Sequence, residues 1–241
     1  MQQAFWLAVQ FLTRLPTPKT SMVNDCQIGV SVLFYPVVGL LIGCLLAIFC
    51  LLVQGVNQYL QAALVLAFWV FLTGGLHLDG LADCADAWAG GLGSRERSLA
   101  IMKDPAAGPI AVAILFLVML VKWSALISLI SNQEFIKLLV VPMMGRLSIL
   151  LLMLSTSYIR EQGLGAIMNK NLPMMETWLV VLVSLIICIW MLGFFVIVSV
   201  CLLIWLLRRI ALQRLGGVTG DVYGAVLEIV EAATMVFAVW K

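Results

Sequence analysis

Residues 177–207 read TWLVVLVSLIICIWMLGFFVIVSVCLLIWLL, an unbroken apolar run with a single glycine, Gly193, near its middle. One helix crosses a hydrocarbon core of about 30 Å with about 20 residues, so this run is long for one span and short for two. The charges around it decide between them. Lysine and arginine collect in four polar regions: Arg14 with Lys19, then Arg95, Arg97 and Lys103, then Arg160 and Lys170, then Arg208, Arg209 and Arg214. The turns at 54–59 and 131–135 carry no Lys or Arg. Basic loops stay on the cytoplasmic side, so all four regions belong there and the run crosses an even number of times. A hairpin bending near Gly193 satisfies this, with halves of about 15 residues, thin enough to be re-entrant.

The rest of the chain fits the same frame. Of its 241 residues 63% are hydrophobic and 11% charged, against about 45–50% and 25% in a soluble domain. The sequence therefore predicts an all-α integral membrane protein, a polytopic helical bundle forming one membrane-embedded domain over 1–241. Further apolar runs lie at 30–53, 60–76, 108–130, 136–156 and 222–240. Gly39 and Gly43 form a small-xxx-small pair suited to close helix contact. Residues 3–15 are apolar but too short to span and are ended by Pro16 and Pro18, which predicts an interfacial N-terminal helix. Residues 19–29 and 157–176 read as polar loops. The count is seven crossings with the N-terminus inside, six being the alternative.

Composition also excludes. A net charge of +2 is too small for a nucleic-acid binder; the lipid bilayer is the expected partner, and assembly with further copies is left open. The six cysteines contain no CxxC pair and lie mostly in apolar runs, so neither a disulfide framework nor a zinc site is expected. No basic region precedes the first apolar run, and no cleavage site follows it, so no cleaved signal peptide is expected.

The chemistry concentrates in Gly74-Gly75-Leu76-His77-Leu78-Asp79-Gly80-Leu81-Ala82-Asp83-Cys84-Ala85-Asp86. Three carboxylates and the only histidine lie together. On a helix, Asp79, Asp83 and Asp86 fall within about 40° of one another. Three anions on one stripe need a counter-charge, and Mg²⁺ is the natural hard cation. Arg95, Arg97 and Lys103 follow closely and suit a polyanion, with positive-inside anchoring as the plainer reading. Arg146 lies about midway along the run 136–156, where a lone charge calls for a partner: an aspartate, a phosphate, or an acid of the last helix. Gly216-Gly217-Val218-Thr219-Gly220-Asp221 precedes that helix and offers backbone N–H groups to an anion, with Asp221 as a plausible helix cap. Glu228 follows two turns on, on the same face as Asp221, and Glu231 lies one turn beyond; Arg146 is an available partner for them.

These residues resemble the cobalamin synthase family of adenosylcobinamide-GDP ribazoletransferases over nearly the whole chain. The resemblance rests on Phe11 to Pro16, Tyr35-Pro36-Val37-Val38-Gly39, the run Gly74 to Asp83, Ile101-Met102-Lys103-Asp104, Arg160 to Gly165 and Gly216 to Asp221. After Asp104 the chain reads Pro105-Ala106-Ala107-Gly108-Pro109, where the family pattern carries a basic residue and two hydroxyls. The resemblance implies joining of α-ribazole, or its 5′-phosphate, to adenosylcobinamide-GDP with release of GMP, dependent on Mg²⁺, at the cytoplasmic face of the bacterial inner membrane. It implies Asp79, Asp83, Asp86 and Asp221 as metal ligands, and Asp86, His77 and Arg146 as catalytic groups. Arg14, Arg95, Arg97, Lys103, Asp104, Arg160, Gly216, Gly217, Thr219 and Gly220 are then expected to bind substrate. Two rivals accompany this reading. A small-solute transporter requires internal repeat symmetry, which the sequence lacks. A CDP-alcohol phosphotransferase has a closely parallel chemistry, but its Asp-Gly-x-x-Ala-Arg opening is not matched at Asp79 to Asp83.

Overall fold

The structure, a computed structural model, describes residues 1–18 and 23–240. Lys19 and the start of the expected loop 19–29 lie outside the described residues. The helices are α1 (Gln2–Leu12), α2 (Asp25–Ser31), α3 (Tyr35–Leu52), α4 (Gln58–Thr73), α5 (Leu76–Gly90), α6 (Arg95–Ile101), α7 (Pro109–Ser131), α8 (Lys137–Ser155), α9 (Leu164–Lys170), α10 (Met174–Leu192), α11 (Phe194–Leu215) and α12 (Gly220–Val239). No strand occurs among the described residues.

The hairpin at Gly193 is present. Gly193 takes φ 93°, outside the range of ordinary L residues, and ends α10. The two arms are full-length helices of 19 and 22 residues, not thin halves. They gain length by extending past the apolar run, through Met174–Glu176 at one end and Arg208–Leu215 at the other. Six helices are long and apolar enough to cross a membrane, and seven crossings result when the bent pair α4–α5 counts as one span. That bend is 92°. It follows from two adjacent glycines, Gly74 and Gly75, at φ 66° and 70°, so the acidic stretch turns sharply away from the preceding span instead of running on from it.

Part of the expected loop 19–29 is helix. Asn24 and Gln27 close a reciprocal capping box: the Gln27 N–H donates to Asn24 Oδ1 at 2.8 Å and the Asn24 N–H to Gln27 Oε1 at 3.1 Å. The N-terminal helix α1 buries Ala4, Ala8, Val9 and Leu12, one stripe, against α2 and α3.

The core sits on α8 and α12, which pack against each other and are enclosed by α3, α5, α7, α10 and α11. Nearly every side chain of α8 from Leu138 to Met153 is buried, whereas α7, α10 and α11 carry exposed Phe116, Leu117, Trp190 and Phe195, an apolar surface fit for lipid. The closest backbone approach to α8 is made by α3. A Cβ on Gly39 would lie 2.6 Å from Met143 Cα, and one on Gly43 would lie 2.6 Å from the Leu138 carbonyl oxygen. Backbone cannot yield as a side chain does. Gly43→Ala is therefore expected to cost about 1–3 kcal/mol, seen as a lowered Tm in detergent.

Candidate active site

Helices α5 and α12 cross where both lack side chains. A Cβ on Gly80 would lie 2.7 Å from the Asp221 carbonyl oxygen, and one on Gly224 would lie 3.1 Å from the His77 carbonyl oxygen. This crossing brings the acidic stretch against the glycine-rich stretch, two segments far apart in sequence. Beside it opens a chamber of about 180 Å³ whose polar lining includes Tyr35, His77, Asp79, Tyr158, Asp221 and Tyr223.

The carboxylates divide into three situations. Asp79 is exposed at the chamber, and Asp83 lies one helical turn further along the same face, half-buried and within electrostatic reach of Asp221, Asp79 and Arg160. Asp221 is held by Arg160, whose Nη2 donates to Oδ2 at 2.5 Å. Asp86 has a different task. Its Oδ2 accepts from the Gly108 N–H at 2.5 Å and its Oδ1 from the Ala111 N–H at 2.9 Å. The expected third metal ligand and proton acceptor thus caps the N-terminus of α7, where a carboxylate also meets the positive end of the helix dipole. Asp86→Ala is expected to lower stability by about 0.5–2 kcal/mol. Asp86→Asn should cost at least tenfold less activity than Asp83→Asn, both read as GMP release alongside thermal unfolding.

The glycine-rich stretch is not an open cradle. Gly216 is the left-handed C-cap of α11, φ 75°. The loop at 157–159 pairs with 217–219 through Ile159 N–H to Val218 O and Val218 N–H to Ser157 O, both 3.0 Å. The N-cap of α12 is Thr219, not Asp221: its Oγ1 accepts from the Val222 N–H at 3.3 Å. Gly220 and Asp221 alone of this segment line the chamber.

Arg146 is fully buried, does not line the chamber, and pairs with Glu231. Glu231 also accepts from Lys122 at 2.6 Å, and Lys122 reaches Glu228 at 2.5 Å. Two cations and two carboxylates thus form a neutral buried network joining α7, α8 and α12, with the Lys122 ammonium 4.6 Å from the Trp69 ring centre. Sequence reading passed over Lys122, although a lone lysine inside an apolar run carries the same signal as Arg146. It also gave no functional role to three tyrosines. Tyr158 and Tyr223 stack with ring centres 5.9 Å apart. Asn169 Nδ2 donates to Tyr223 Oη at 3.1 Å, and Tyr35 Oη donates to Met168 Sδ at 3.3 Å. Burial pushes the Tyr158 phenol above its ordinary value, so it stays protonated at neutral pH.

The remaining expected substrate residues are not gathered into this chamber. Arg14 is exposed and packs over Gly74 at the α4–α5 turn. Arg95, Arg97 and Lys103 are exposed around α6, Arg95 lying over Gly216. Asp104 turns its own chain, with Oδ1 accepting from the Ala106 N–H at 3.0 Å.

The sequence profile of the cobalamin-5-phosphate synthase family matches residues 4–239. The chain belongs to this family. A Pseudomonas fluorescens Pf0-1 protein named adenosylcobinamide-GDP ribazoletransferase is 48% identical over 235 residues, covering 96% of each chain. A protein of that name from Pseudomonas putida F1 is 47% identical over 231 residues, again covering 96% of each. No solved structure matches the chain. Within the cobalamin-5-phosphate synthase fold described here, the His77–Asp86 run is thus the start of one helix, α5. Its Asp79 and Asp83 lie within electrostatic reach of Asp221 of α12, and its Asp86 turns to the start of α7.

Proposed function

We propose that this chain carries out the transfer for which its relatives are named: adenosylcobinamide-GDP donates its cobinamide-phosphate group to α-ribazole or its 5′-phosphate, and GMP leaves. The observation that carries the reading is that Asp79 and Asp221 line one chamber, with Asp83 and Arg160 within electrostatic reach beside it, in a chain of this family. We place the reaction at the cytoplasmic face of a bacterial inner membrane, where the four basic regions belong.

Among the described residues no three His, Cys, Asp or Glu side chains converge as a metal cage. Magnesium does not need one: it keeps several waters and is held by one or two carboxylates together with substrate phosphates. Asp79 and Asp83 fit that role, with Asp221 opposite. A bound Mg²⁺ would neutralise charge on the diphosphate and polarise the phosphoryl group under attack. The protein's own part is positioning and charge. Arg160, anchored by Asp221, presents its guanidinium to the transferring group. His77 is buried at the chamber wall and its Nδ1 has no hydrogen-bond partner; it accepts the proton of the attacking hydroxyl. The tyrosines supply an aromatic wall for the acceptor base.

The test is incorporation of labelled α-ribazole into a corrinoid by membranes containing the chain, with GMP release followed in parallel. Incorporation matched by GMP is expected, and chelation of Mg²⁺ should abolish both. No incorporation would overturn the reaction; turnover that survives chelation would remove the metal.

A further inference from the structure

A second cavity of about 550 Å³ adjoins the acidic chamber and shares Met153 and Tyr158 with it as a wall. It is formed by the end of α8, the loop after it, and α9. Its character is opposite to that of its neighbour. The polar lining is Ser155, Thr156, Ser157, Arg160, Asn169 and Lys170, with two cations and no carboxylate. Lys170 forms no ion pair among the described residues. Arg160 reaches through the wall to Asp221, and its Nε is buried without a partner. Behind the lining, Arg208 Nε donates to Thr156 Oγ1 at 2.8 Å and Arg208 Nη2 to the Ser155 carbonyl at 2.6 Å, bringing a third cation close. Hydroxyls, an amide and guanidinium groups with spare donors recognise phosphate oxygens.

We infer that this basic cavity holds the nucleoside monophosphate half of the donor and is where GMP resides as it leaves. The inference rests on the proposed transfer. In that step the acceptor hydroxyl oxygen bonds to the cobinamide-linked phosphorus. The bond from that phosphorus to the oxygen bridging the two phosphates breaks. GMP keeps the bonding electron pair, and the hydroxyl proton goes to a base. The leaving group gains a phosphate charge of about −1.5 to −2, whereas α-ribazole itself arrives without a phosphate. A site with cations and no carboxylate therefore matches the departing group for either form of acceptor. Arg160 stands between the two chambers, where it meets the phosphate under attack and the one that leaves.

The test uses the full-length protein in nanodiscs, with GMP as the probe. Lys170→Glu reverses an exposed charge at the cavity, and Ala166→Trp fills the space from α9. Each is expected to weaken GMP binding and GMP product inhibition by about tenfold or more, while KM for α-ribazole stays within about twofold. Unchanged GMP binding in both variants would overturn the assignment. So would a raised KM for α-ribazole 5′-phosphate with GMP inhibition intact, which would give the cavity to the acceptor. The underlying reaction fails separately: wild-type protein that never converts the donor, yet loses GMP binding in these variants, removes the transfer and keeps the nucleotide site.

Discussion

Asp83→Asn is expected to lower GMP release by about 10²–10³-fold, a loss of the size seen when one electrostatic contact to a transition state is removed. The substitution keeps shape and removes one negative charge. Asp83 is half-buried among Asp221, Asp79 and Asp86, with Arg160 the one cation in its electrostatic surroundings. Like charges held together weaken the folded state, so the Asn variant should unfold at the same temperature as the wild type or slightly higher. The paired outcome matters. Activity falls while Tm does not, and this separates a carboxylate kept for chemistry from one kept for packing. The Mg²⁺ concentration needed for residual turnover should also rise, because Asp79 is left as the nearer carboxylate. Wild-type turnover in a folded Asp83→Asn protein would sink the metal role of this residue.

Sequence alone made the periodic features legible. The stripe Asp79–Asp83–Asp86 follows from helical spacing, and α5 places all three on one face. The hairpin at Gly193 follows from charge asymmetry across an overlong apolar run. What escaped were partnerships set by packing. Nothing local in Asp86 distinguishes a metal ligand from a cap, because its partners, the N–H groups of Gly108 and Ala111, belong to the next helix. The Pro105–Pro109 stretch, which lacks the basic and hydroxyl residues of the family pattern, supplies one of those donors. The glycine-rich run at 216–220 read as a phosphate cradle, but its backbone is spent on a C-cap and on pairing with residues 157–159. Arg160 became interpretable only when that pairing set it beside Asp221. The α4–α5 bend had its signal in Gly74-Gly75, since two consecutive residues free to take positive φ permit a reversal within what otherwise reads as one continuous helix.

Arg146→Ala, by contrast, is expected to act on stability, by about 3–5 kcal/mol, because it strips Glu231 of one cation at a position where both side chains are fully buried. The sign of the effect depends on charge balance. Arg146 and Glu231 leave the network as a neutral pair, and Lys122 with Glu228 remain as another. The double variant Arg146→Met/Glu231→Leu should therefore recover most of the loss, since well-packed apolar side chains replace a buried ion pair at little or no cost. A Tm series of the two single variants and the double in one detergent measures the coupling directly. Additive losses would mean the two groups do not depend on each other, against the contact between them. The same double variant tests the catalytic role first expected of Arg146. The guanidinium is fully buried and lies outside the chamber lining, so a folded double variant should keep GMP release within about tenfold of wild type, a change of about 1.4 kcal/mol in the barrier. Loss to the level of Asp83→Asn in a protein that melts normally would return Arg146 to the chemistry, acting on the chamber through His77, whose ring lies within its electrostatic reach.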